Sequence, residues 1–162
     1  MKTADLLREL RRWWKGGEEN ESGYRSGLVR QLRAEHVELL DAFDALRLAA
    51  ERRDALRCRA HLDRFAVLLQ HHLSAENRHL YGYFARQRET PLTEQVDAMA
   101  AEMIRVGKTL HRFVRKYAAA RDPLADFPVL IDDLTAVSAE LRRRIEKEEA
   151  LLYPLYDRLA PP

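Results

Sequence analysis

The residues best suited to chemistry are His72 and Glu76, four positions apart in the segment His72-Leu73-Ser74-Ala75-Glu76. In an α-helix, side chains four apart lie one above the other on one face, so this spacing aims an imidazole and a carboxylate at a single point. An imidazole nitrogen and a carboxylate oxygen are two ligands for a borderline or hard divalent metal. They make half of a metal site, and other elements must supply the rest.

Stepping by alternate fours and threes through the surrounding run, Asp54 to Arg88, picks out Cys58, Leu62, Phe65, Leu69, His72, Glu76, His79 and Tyr83, the seam of a helix packed in a bundle. His72 and Glu76 therefore point into a core, where a charge or imidazole without partners costs several kcal/mol. The chain must answer with a metal or with matching polar groups.

Three more seams emerge from the same stepping. A first helix, about Tyr24 to Ala50, aligns Leu28, Leu32, His36, Leu39, Phe43, Leu46 and Ala50. A third, about Pro91 to Ala119, begins at a Thr90-Pro91 cap and aligns Val96, Met99, Met103, Val106, Leu110, Phe113 and Tyr117. After Asp122-Pro123 and Asp126-Phe127-Pro128, the fourth aligns Leu130, Leu134, Val137, Leu141, Arg144, Glu148, Leu152 and Leu155. His36, Arg144 and Glu148 thus share core positions with His72 and Glu76. Four helices of similar length with short links predict an all-α fold, an antiparallel up-down-up-down four-helix bundle over residues 24–160.

Ahead of the bundle, Met1 to Lys15 reads as a short amphipathic helix with Leu6, Leu7, Leu10, Trp13 and Trp14 on one side and basic residues largely on the other. Gly16-Gly17 ends it, so residues 1–17 form an N-terminal helix and 18–23 a polar linker. A basic helix with tryptophans suits a protein partner or an anionic membrane surface, or the outside of its own bundle.

Composition narrows the function classes. A chain of 162 residues with 46% hydrophobic content supports one core and one domain. Lys+Arg 28 against Asp+Glu 26 leaves +2, without the basic excess of a dedicated nucleic-acid binder, so no specific nucleic-acid binding is expected. The single cysteine, Cys58, excludes an intramolecular disulfide and CxxC chemistry, which fits a reducing cytoplasm. No apolar run approaches the roughly 20 residues of a membrane span, and no secretory signal stands at the start. No nucleophile with its base and no phosphate-binding glycine loop stands out, so a binding or sensing role is expected rather than an enzyme.

The second and fourth helices repeat at an offset of 72: His72, Glu76, Leu80 and Tyr81 correspond to Arg144, Glu148, Leu152 and Tyr153. More weakly, Ala34-Glu35-His36 aligns with Ala101-Glu102-Met103. A complete two-fold site would repeat His, His, Glu. This chain reads His36, His72, Glu76, then Met103, Arg144, Glu148.

Ala34-Glu35-His36, the stretch His72 to Tyr81, and Glu146-Lys147-Glu148-Glu149-Ala150-Leu151-Leu152-Tyr153-Pro154 together resemble the hemerythrin-like, or HHE cation-binding, family over about Tyr24 to Arg158. The resemblance implies a bundle around a non-haem di-iron centre that binds dioxygen or responds to nitric oxide or redox state. It implicates His36 and His72 and the bridging carboxylates Glu76 and Glu148. Met103 and Arg144 depart from it, standing where histidine ligands are expected, and arginine has no lone pair to offer a metal.

Two readings are open. The remaining ligands could hold at most one ion, with iron, manganese and zinc all suited, and then bind a small diatomic ligand. Alternatively, Arg144 could lie between Glu76 and Glu148 as a buried ion pair, giving a metal-free regulatory interaction module. Haem between His36 or His72 and Met103 comes last, because it needs a wide cavity. His71 is expected to flank the site, His79 to lie about two turns from His72, too far to share a ligand shell, and His61 and His111 to be structural or exposed. Tyr81, Tyr83 and Tyr153 are expected to cap the core with their rings, although a tyrosine near a metal could become a ligand.

Overall fold

The computed structural model describes residues 23–87, 93–119 and 126–159. The expected helix of residues 1–17, the Thr90-Pro91 cap and Asp122-Pro123 lie outside them. The described elements are α1 (Leu28–Glu51), α2 (Ala55–Ala75), α3 (Thr93–Ala119) and α4 (Phe127–Lys147), packed as an all-α four-helix bundle.

Local chemistry sets the helix ends. Gly27 at φ 81 stands as N-cap of α1, so the helix starts at Leu28, its first seam residue, and not at the expected Tyr24. Tyr24 then lies outside the helix and stacks on Tyr156, ring centroids 5.0 Å apart. Asp54 caps α2 by accepting the Arg57 N–H, and Asp126 caps α4 by accepting that of Val129, with Pro128 in the first turn.

Beyond Ala75 and Lys147 the rods change pitch. Each passes through a π-helical segment, Glu76–Tyr81 and Glu148–Leu152, before returning to α-helix in Gly82–Phe84 and Tyr153–Arg158. A π turn takes up an extra residue and shifts the helical phase of the residues after it. The predicted seam step from Glu76 to His79 is therefore wrong: Leu80 is fully buried and His79 only half-buried.

α1 and α3 each pack against α2 and α4. The start of α1 meets the end of the fourth rod where the Arg25 N–H donates to Tyr156 Oη at 2.8 Å. Arg59, near the start of α2, donates to the Tyr117 carbonyl near the end of α3 at 3.0 Å. Lys147, at the end of α4, reaches Glu102 near the start of α3 at 2.8 Å. Helices in contact therefore run in opposite directions.

Two apolar clusters fill the bundle, one around Phe43, Phe65 and Phe113, the other around Leu28, Leu32, Leu80 and Tyr156. His36 lies between Leu32 of one cluster and Leu39 of the other. Among the described residues no helix is long and apolar enough to cross a membrane.

Candidate metal centre

Among the described residues, five that are polar or charged are buried in this interior: His36, His72, Glu76, Arg144 and Glu148, none more than 4% exposed. His36 comes from α1, His72 and Arg144 from the last turns of α2 and α4, and each glutamate is the first residue of a π segment. One donor atom from each of His36, His72, Glu76 and Glu148 lies within 4.8 Å of the others, a group that could hold a metal ion. His36 Nε2 is 3.2 Å from Glu148 Oε2, and His72 Nε2 is 3.7 Å from Glu76 Oε2.

Carboxylates behind the imidazoles fix their orientation. His36 Nδ1 is 2.8 Å from Glu149 Oε1, and His72 Nδ1 is 3.0 Å from Glu35 Oε2. Each Nδ1–H donates outward, so each Nε2 faces inward, that of His36 resting on Glu148 in place of a metal; metal-binding histidines are oriented in this way. Glu35 is held in turn by Gln31 Nε2 at 2.7 Å and by exposed His71 at 3.2 Å.

Tyrosines complete the shell. A π turn brings residues five apart into register, so Tyr81 follows Glu76 and Tyr153 follows Glu148 along the rods. Tyr153 Oη lies 3.1 Å from both Glu76 Oε1 and His36 Nε2, and Tyr81 Oη accepts from Arg144 Nη2. Only Tyr83 keeps to the expected capping role, its hydroxyl donating to the Leu159 carbonyl at 2.7 Å. Ring capping alone is thus corrected for Tyr81 and Tyr153, because the π turns roll their hydroxyls inward.

Arg144 donates through Nε to Glu148 and through Nη1 to the Met99 carbonyl at 3.1 Å. The expected bridge between both glutamates is not made; Tyr81 and Met99 hold the guanidinium on Glu148 alone. Glu76 Oε2 consequently accepts no hydrogen bond although fully buried. Such an orphaned oxygen costs about 1–3 kcal/mol. Facing His72 and sharing the interior with His36 and Glu148, it fits a cation.

Charges divide the two carboxylates. Burial, and then the nearby charge of Glu148, push Glu76 well above the usual carboxylate range. Burial acts on Glu148 in the same sense, but the His36 hydrogen bond and the Arg144 charge outweigh it and hold Glu148 below its ordinary value. Burial also lowers His72, against the opposing hydrogen bond to Glu35, which favours the neutral, ligating imidazole.

A cavity of about 20 Å³ borders these residues, lined also by Met103 and Gly107. That is room for one or two water-sized groups, not for a haem. His61, His79 and His111 are half-buried and outside the four-residue group. Sequence reasoning missed Glu35 and Glu149, and put ring capping ahead of ligation for Tyr81 and Tyr153. The available signals were adjacency to His36 and Glu148 and the repetition of tyrosine at the offset of 72.

Residues 27–156 match the family model described as Hemerythrin HHE cation binding domain. No curated protein and no solved structure gives a significant match.

Proposed function

The chain belongs to the hemerythrin HHE cation-binding family, and from that premise we propose that it is a binding or sensing protein for one non-haem metal ion, held by His36, His72, Glu76 and Glu148, with Arg144 standing in for a second cation. The observation that carries this reading is the buried Glu76 Oε2, which has no hydrogen-bond partner and lies 3.7 Å from His72 Nε2 in a group that also holds His36 and Glu148. A metal-free ion-pair core would have used Arg144 to satisfy that oxygen; here the guanidinium is committed to Glu148, Tyr81 and Met99.

When bound, the ion would supply a Lewis-acidic centre with room for one small diatomic ligand. Glu35 and Glu149 orient the histidines, Arg144 neutralises Glu148, and Leu69, Val106 and Leu141 help wall the cavity against water. Two imidazoles and two carboxylates suit iron, manganese or zinc. The basic, tryptophan-bearing segment Met1 to Lys15 remains the proposed contact for a partner protein or membrane surface. Metal analysis of protein purified without a histidine tag, with an absorption spectrum, tests the reading. One ion per chain is expected. Two tightly held irons with the near-ultraviolet bands of an oxo-bridged pair would overturn it, as would failure to take up iron, manganese or zinc on titration.

A further inference from the structure

The two halves use their repeated tyrosines differently. Tyr81 Oη is engaged by the Arg144 guanidinium. Tyr153, 0% exposed, has its oxygen inside the candidate ligand group, 3.1 Å from His36 Nε2 and 3.1 Å from Glu76 Oε1. Donors about 2.1 Å from a common ion stand roughly 3.0–3.4 Å apart, from right-angle to tetrahedral geometry. The Tyr153 separation from His36 Nε2 falls in that range, as does the 3.2 Å between His36 Nε2 and Glu148 Oε2, while the unpartnered Glu76 Oε2 stands somewhat farther, 3.7 Å, from His72 Nε2. The hydroxyl oxygen is spaced like one more corner of the same coordination polyhedron.

Charge points the same way. With Glu76 and Glu148 ionised, Arg144 cancels one carboxylate, and a divalent or trivalent ion then leaves the innermost group with excess positive charge. Glu35 and Glu149 sit farther out, behind the imidazoles, with side chains 14% and 34% exposed. Another anion in the inner group reduces the excess, and excess buried charge is expensive.

We propose that Tyr153 is a fifth protein ligand, so that the site presents two imidazoles, two carboxylates and one phenolate, a donor set suited to ferric iron. The inference rests on the single-metal reading above. On ligation the Oη–H bond breaks and the proton is released to solvent. The electron pair left on oxygen forms the bond to the ion, with no change of oxidation state. A bound cation makes such deprotonation favourable where the empty site opposes it.

The test is to load tag-free protein with ferric nitrilotriacetate, remove excess iron, and measure iron content and the visible spectrum together. The expected result is one iron per chain with a tyrosinate-to-iron charge-transfer band in the visible. Tyr153→Phe should abolish the band while keeping the iron, and Tyr83→Phe should leave the band in place. Iron bound without the band, a band that persists in Tyr153→Phe, or one that disappears only in Tyr81→Phe overturns the Tyr153 assignment and leaves the single-metal reading standing. If no iron binds at all, ferric ligation by Tyr153 fails, and uptake of manganese or zinc then decides the single-metal reading separately. Should Tyr153→Phe not fold, resonance Raman of loaded wild-type protein containing ring-deuterated tyrosine decides. Tyrosinate modes that shift with the label and survive Tyr81→Phe support ligation, and their absence overturns it.

Discussion

At the end of α2, Glu76 opens a π turn with His72 Nε2 3.7 Å away and the Nδ1 of that imidazole resting on Glu35. At the end of α4, Glu148 opens the equivalent turn paired through one oxygen with the Arg144 guanidinium, with His36 Nε2 3.2 Å from the other. The scaffolding is common to both. Glu35 contacts His71 and His72 in one half; in the other, Glu102 contacts Arg143 at 3.6 Å and Lys147 at 2.8 Å. The residue four positions before each π carboxylate makes the difference. A histidine there presents a lone pair and leaves the carboxylate in need of an exchangeable cation; an arginine supplies a tethered one.

Removing the tethered cation should have the largest effect. Arg144→Ala is expected to destabilise the metal-free protein by about 3–5 kcal/mol, because Glu148 is left buried without its partner. Chemical denaturation should show this loss and its partial reversal by a divalent metal. A variant as stable as wild type would mean that the pair is incidental.

Converting the arginine half into a histidine half comes next. Met103→His with Arg144→His restores the repeated ligand set, and metal analysis should find more iron than in wild type, rising from one ion per chain toward two. If the variant folds without that gain, the two halves are not equivalent frames for a metal. The comparison then holds for backbone only.

The outer carboxylates sharpen the contrast on a smaller scale. Glu35→Gln should weaken metal affinity by about 10–100-fold, since it takes the charge from behind His72. Equal affinity in a competitive chelator titration would mean that His72 needs no orienting carboxylate. Glu102→Gln should leave metal affinity nearly unchanged and lower stability by only a few tenths of a kcal/mol, because its partner Lys147 is 40% exposed and screened by water.

That last difference should depend on pH in a definite sense. The Lys147 hydrogen bond holds Glu102 below its ordinary value, against the opposing effect of burial. A carboxyl depressed in the folded state stabilises above its unfolded pKa and loses that contribution as the pH falls through the folded one. The gap between wild type and Glu102→Gln should therefore close on acidification below the usual carboxylate range. A gap that widened there would contradict the pairing.

Helical periodicity alone places His36, His72, Glu76, Arg144 and Glu148 in the interior, and every seam position named on the first, third and fourth rods is buried. These readings are local: a side chain's direction on a regular helix depends on its own spacing and little else. His79 failed for the same reason, since the π turn that opens at Glu76 leaves no mark in the spacing of apolar residues. Likewise, the offset of 72 revealed that tyrosines recur but not that their hydroxyls turn inward.

What the sequence determined by itself was the all-α bundle, the buried polar group and the two substitutions, Met103 and Arg144, that unbalance its repeat. Only the tertiary structure decided that Arg144 serves Glu148 and not Glu76, that Glu35 and Glu149 stand behind the histidines, and that Tyr153 reaches the ligand atoms. Each depends on how far one rod is rotated and displaced against another. Distances between helices come from side chains packing across the whole core, whereas periodicity records only the face that each helix turns inward.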